Sequence, residues 1–136
     1  MTTTCLIGEA DPFLARLLER YAEARGLDTV RAKVGQELVS LARAIKPDII
    51  IVDPELPGTL RGWEAVRAIN AEAALGNVPV LTCSWLSKAD ACALVGDAAD
   101  HLQKPDLHYE DFVTALANVC PDAPVDSVGN SQRATG

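Results

Sequence analysis

A chain of 136 residues fits a single domain, since domains run to roughly 100–200 residues, and a core of this size can fold without disulfide or metal staples. The net charge of −7 and the pI near 4.7 argue against direct nucleic-acid binding, which calls for basic patches. Hydrophobic residues make up 49% and charged residues 23%, the balance of a soluble globular protein. No apolar run approaches the roughly 18 residues of a membrane span.

Residues 4–8 (TCLIG) form a short apolar run that reads as a strand and stops at Glu9. A helix follows, with Pro12 in its first turn, where a missing N–H does no harm. Leu14, Leu17, Leu18 and Tyr21 recur in it at helical spacing, and Gly26 is its expected terminator. Residues 27–34 (LDTVRAKV) hold a weaker second strand. Residues 36–45 repeat the helical period through Leu38, Leu41, Ala42 and Ile45.

Residues 48–52 (DIIIV) are β-branched on both faces, the pattern of a central parallel strand buried on both sides. That strand stops at Asp53-Pro54, and Pro57-Gly58 mark a loop. Residues 63–74 predict a third helix with Val66, Ile69 and Ala73 inward. Residues 78–84 (VPVLTCS) predict a fourth strand, residues 88–95 a short helix and residues 100–103 a fifth strand ending at Lys104-Pro105. Residues 109–119 predict a last helix with Phe112, Val113, Leu116 and Val119 on one face. Residues 121–136 are small, polar and aperiodic, so a domain over residues 1–120 followed by a disordered tail is expected.

Four cysteines, Cys5, Cys83, Cys92 and Cys120, include no C-x-x-C pair. They read as reduced thiols of a cytoplasmic protein, and a zinc site is not expected. The polar residues 1–4 show no secretory leader.

Strands alternating with helices predict a doubly wound, five-stranded parallel α/β sheet. Ligands of such sheets bind beyond the carboxyl ends of the strands. The strand ends here carry Glu9, Asp53, Ser84 and Lys104. Two carboxylates together favour a hard divalent cation, usually Mg²⁺. A lysine supplies a point charge for a phosphoryl oxygen, and a serine a hydrogen-bond donor. An aspartate in that setting can attack phosphorus and form an acyl phosphate.

The segments LIGEADP, PDIIIVDPELPG, VPVLTCS and ADHLQKP, in this order, resemble the receiver domain of bacterial response regulators over about residues 4–119. The resemblance implies a flavodoxin-like (βα)5 fold with strand order 2-1-3-4-5. It implies phosphorylation of Asp53, a paired Lys104 followed by a bond to Pro105 that is often cis, and a Ser84 hydroxyl that turns toward the phosphoryl group. Mg²⁺ would be held by Glu9, Asp53 and the backbone carbonyl of Glu55. The position of the switching aromatic is His101, whose ring could swing between buried and exposed rotamers and respond to pH.

By the same resemblance the partners are a histidine kinase or phosphotransfer protein and a downstream protein, with self-association into a homodimer left open. The chain would be a signalling module and not an enzyme. Three departures stand out. Ala10 occupies the place of a second acid, with Asp11 beside it. The loop after Asp53 is one residue longer than usual before Gly62. Trp85 replaces a small residue after Ser84, where it would either pack or cap the site. They motivate an alternative, an atypical receiver that binds protein partners without phosphorylation. A flavin carrier on a similar sheet is disfavoured, because residues 9–12 (EADP) are acidic and lack glycine where a phosphate would sit.

Overall fold

The computed structural model describes residues 3–96 and 100–119. Five parallel strands, β1 (Thr3–Gly8), β2 (Leu27–Ala32), β3 (Ile49–Val52), β4 (Val80–Ser84) and β5 (Asp100–Gln103), form one sheet in the order β2-β1-β3-β4-β5. Five helices alternate with them: α1 (Pro12–Ala24), α2 (Gly35–Ile45), α3 (Gly62–Asn70), α4 (Lys88–Val95) and α5 (Tyr109–Val119). The expected doubly wound fold and strand order are both observed. The region expected to be a tail, 121–136, lies outside the described residues, as does Cys120.

Period-2 alternation sorts the core into two layers. Cys5 and Ile7 of β1, Ile49 and Ile51 of β3, Leu81 and Cys83 of β4 and Leu102 of β5 pack with α1 and α5. Leu6, Ile50, Val52 and Val80 face the other way and pack with α2, α3 and α4. All four residues of β3 are fully buried, as a strand at the centre of a covered parallel sheet must be.

Several boundaries differ from the sequence reading, each for a local reason. The second strand stops at Ala32 because Val34 is already the N-cap of α2. The fourth strand begins at Val80, just past Pro79, which has no N–H to give a ladder. The third helix ends at Asn70, not at residue 74. Beyond it the chain turns through Glu72 N–Ile69 O, Leu75 N–Glu72 O and Val78 N–Leu75 O bonds. Those turns bury Leu75 and leave Ala73 exposed, so Leu75 fills the inward place expected of Ala73. Gly26 closes α1 as expected, with φ of +82°.

Candidate functional site

Register brings the strand ends to one edge. Gly8 pairs with Val52 and Ser84 with Gln103, so Glu9, Asp53, Ser84 and Lys104 all emerge at the carboxyl rim. Alternation then divides them. Glu9, Asp53 and Lys104 continue the parity of Ile7, Ile51 and Leu102, toward α1 and α5. Ser84 has the parity of Val80 and faces the α4 side.

The first three meet. Lys104 Nζ donates to Asp53 Oδ2 at 2.8 Å and lies 2.8 Å from Glu9 Oε1. Lys104 is 4% exposed, Glu9 3% and Asp53 9%. β5 and β3 are two strand spacings apart, about 10 Å, and only a long side chain crosses that gap over β4. Burial opposes the Lys104 charge, but the hydrogen bond to Asp53 and the attraction of the Asp53 and Glu9 carboxylates outweigh it and raise the ammonium above its ordinary value. The Lys104-Pro105 bond is cis.

The remaining carboxylate oxygens take backbone donors. Asp11 N donates to Glu9 Oε2 at 3.0 Å, and Glu55 N to Asp53 Oδ1 at 2.8 Å. Glu9 Oε1 is buried and, despite the nearby ammonium, has no hydrogen bond directed at it. Beneath the site, burial pushes the Cys83 thiol up to about 12, against the attraction of Lys104.

Ser84 stands apart from this triad. Its Oγ accepts from Leu86 N at 2.9 Å. His101, by resemblance the position of the switching aromatic, is half-buried and bonded at both ring nitrogens. Nδ1 lies 2.7 Å from Thr82 Oγ1 and Nε2 2.9 Å from Leu86 O. Gln103 Nε2 donates to Trp85 O at 2.9 Å and Ser84 O at 3.3 Å. Thr82 and Gln103 escaped the sequence reading. Both share Ser84's parity, and Thr82 is the direct cross-strand partner of His101, the signal that would have found it.

Of the two alternatives for Trp85, packing is not met, since the residue is 61% exposed. Asp11, the acid beside Ala10, is the N-cap of α1. Its Oδ1 accepts from Phe13 N at 2.9 Å and Leu14 N at 3.3 Å. A hard cation would meet Glu9 Oε1, which receives no directed hydrogen bond, and Asp53 Oδ2, which already accepts from Lys104, with the Glu55 carbonyl as the oxygen that the family resemblance implies. Ala10 adds none. Among the described residues no cluster of three or more His, Cys, Asp or Glu side chains is arranged to hold a metal. The undirected, buried Glu9 Oε1 and the all-oxygen set still fit Mg²⁺, an ion that keeps several of its waters when one or two carboxylates bind it.

A family model, the response regulator receiver domain, matches residues 5–117. The chain belongs to that family. It is 31% identical over 125 residues to the polar-differentiation response regulator DivK of Brucella ovis, covering 90% of this chain and 100% of that one. The fold is similar to that of the chemotaxis protein CheY4 of Vibrio cholerae, with TM-score 0.77 and 21% identity over 88% of this chain and 99% of that one. It is also similar to the receiver domain of the Pseudomonas aeruginosa sensor histidine kinase PA1611. There the TM-score is 0.76 and the identity 23%, over 88% of this chain and 98% of that one, and that protein holds a magnesium ion in its active-site cleft. Among the described residues of this receiver no helix is long and apolar enough to cross a membrane.

Proposed function

We propose that this receiver accepts a phosphoryl group on Asp53 from the phosphohistidine of a histidine kinase or phosphotransfer protein, and that the acyl phosphate changes its affinity for a protein partner. The supporting observation is the buried Asp53 carboxylate at a strand end with the Lys104 ammonium 2.8 Å away. An Asp53 oxygen attacks phosphorus, and the bond from phosphorus to the donor imidazole nitrogen breaks, with its electron pair leaving on the imidazole. Lys104 faces the charge that builds on the phosphoryl oxygens, in a site dry enough to make that charge count. Mg²⁺ bound through Glu9, Asp53 and the Glu55 carbonyl would neutralise the same oxygens. The Ser84 hydroxyl is the group that turns to the new anion. In this reading the chain works in the cytoplasm by binding and not by turnover, and its acidic surface leaves DNA contact to other proteins.

Intact mass after incubation with acetyl phosphate and Mg²⁺ tests this. A gain of one phosphoryl group, about 80 Da, is expected in the wild type and not in Asp53→Asn. No gain in either protein counts against it.

A specific observation favours the second reading, a binding module that needs no phosphorylation. Ala10 offers no ligand, Asp11 is committed to capping α1, and Lys104 already supplies a positive charge to both carboxylates. Under that reading Mg²⁺ binding by calorimetry is weak, and mass gain appears only in Ala10→Asp.

A further inference from the structure

The loop after β4 is fastened to β5 carbonyl by carbonyl. Ser84 O accepts from Lys104 N at 2.9 Å, Trp85 O from Gln103 Nε2 at 2.9 Å, and Leu86 O lies 2.9 Å from His101 Nε2. Leu86 N in turn holds Ser84 Oγ. The hydroxyl that the phosphoacceptor reading assigns to the phosphoryl group therefore sits in a turn whose far end is fixed by His101.

Hydrogen-bond accounting sets the proton positions on that ring. A carbonyl oxygen only accepts, so Nε2, facing Leu86 O, carries a proton. Nδ1 faces Thr82 Oγ1 at 2.7 Å, and the same hydroxyl reaches Asp100 O at 3.2 Å. One hydroxyl proton cannot serve both. With the imidazole neutral, Thr82 donates to Nδ1 and not to Asp100 O. With the imidazole charged, Nδ1–H donates to Thr82 Oγ1, and the hydroxyl proton is released to Asp100 O. Protonation thus completes a chain from Leu86 O through His101 and Thr82 to Asp100 O. Its two ring bonds become charge-assisted, and such bonds are about twice as strong as neutral ones. Thr82 is fully buried, so water does not offer it an alternative partner.

We propose that His101 is a proton-responsive positioning residue for Ser84: the imidazolium fastens the 84–86 turn and keeps the Ser84 hydroxyl on Leu86 N, and the neutral ring releases it more readily. Imidazole is the side chain whose charge changes between about pH 5 and 8. The charged groups around it are Asp100 on its own strand, Lys88 of α4 at 3.5 Å from Asp100 Oδ1, and Asp106 and Asp111. These last two line the same cavity as His101, of about 370 Å³, beside α5. The link to phosphorylation rests on the phosphoacceptor reading. By linkage, an Asp53 phosphoryl group that draws Ser84 away lowers the proton affinity of His101, by about tenfold if the coupling is of usual size.

Trp85, exposed in the turn itself, is the reporter. Its emission is followed from pH 5 to 8 in Trp63→Phe, which removes the other tryptophan. A single-proton titration is expected, lost in His101→Phe and retained in Thr82→Ser, which keeps the hydroxyl. Absence of the titration, or its persistence in His101→Phe, overturns the proposal. Imidazole ¹⁵N shifts of the wild type, which need no variant to fold, are expected to show the Nε2–H tautomer at high pH; the Nδ1–H tautomer overturns it. After acetyl phosphate treatment, a fall of about tenfold in proton affinity is expected, and an unchanged midpoint in protein shown by mass to be phosphorylated overturns the coupling. Failure of the mass gain itself refutes the phosphoacceptor reading and leaves the titration of the unmodified protein to stand or fall alone.

Discussion

Lys104 Nζ lies 2.8 Å from Asp53 Oδ2 and 2.8 Å from Glu9 Oε1, so one ammonium from β5 serves two buried carboxylates from adjacent strands. The arrangement leaves a single net negative charge in a site almost closed to water. Removing the lysine while keeping its bulk, in Lys104→Met, strands both anions. Breaking a buried pair in this way costs about 3–5 kcal/mol. The expected outcome is a large fall in the denaturation midpoint, partly reversed by millimolar Mg²⁺, which replaces the missing charge. A variant as stable as the wild type in the absence of Mg²⁺ would show that the triad contributes little.

Ala10→Asp addresses the missing ligand. Position 10 is exposed, lies outside any element and precedes the helix cap, so a new carboxylate there meets no steric obstacle of its own. An added oxygen ligand next to Glu9 raises the charge and ligand count that fix affinity for a hard cation. Calorimetric titration is expected to give Mg²⁺ binding at least about tenfold tighter than in the wild type. Equal affinities would mean that Glu9, Asp53 and Glu55 already complete the site.

Much of this was legible in the sequence. The unbroken β-branched run 49–52 and its stop at Asp53 mark the central strand, and the strand-end residues mark the rim. Their division into two sets was not seen, although parity alone places Glu9, Asp53 and Lys104 on one face and Ser84, Thr82, His101 and Gln103 on the other. The packing alternative for Trp85 fails because, although tryptophans are usually buried, nothing in its own sequence neighbourhood signals that Gln103 binds its carbonyl while the residue stays 61% exposed. Asp11 was ambiguous for a different reason. Capping and metal ligation ask for the same short carboxylate, and only the Phe13 and Leu14 amides decide between them.

Gly62 fixes the loop that follows Asp53. A Cβ there would overlap the Asp53 carbonyl oxygen and press on Leu56 Cβ at 3.0 Å. Both obstacles are rigid, because Gly62 N is itself bonded to Leu56 O at 2.9 Å and Leu56 N to Asp53 O at 2.9 Å. Gly62→Ala must push the 53–56 turn away from α3. Overpacking of this kind costs about 1–3 kcal/mol, measurable by urea unfolding. The same shift moves Asp53, so under the proposed function labelling by acetyl phosphate should slow more than stability alone explains. A variant with wild-type stability would show that the turn yields freely.

The raised Lys104 ammonium makes an alkaline prediction whose sign follows from linkage. Burial disfavours the charge, but the hydrogen bond to Asp53 and the attraction of both carboxylates more than offset it, so the folded value lies above the ordinary 10.5. A group with a raised folded value contributes stability that is complete below its unfolded value and disappears as pH rises through the folded one. The wild type should therefore hold this contribution at pH 8 and 9 and lose it progressively above about pH 10.5. Other groups titrate in the same range, so the informative quantity is the difference between wild type and Lys104→Met. Urea midpoints measured at intervals from pH 8 to 11.5 should converge as the wild-type ammonium is neutralised. Midpoints that stay equally far apart up to the highest pH would show that the difference does not come from the charge of the Lys104 ammonium.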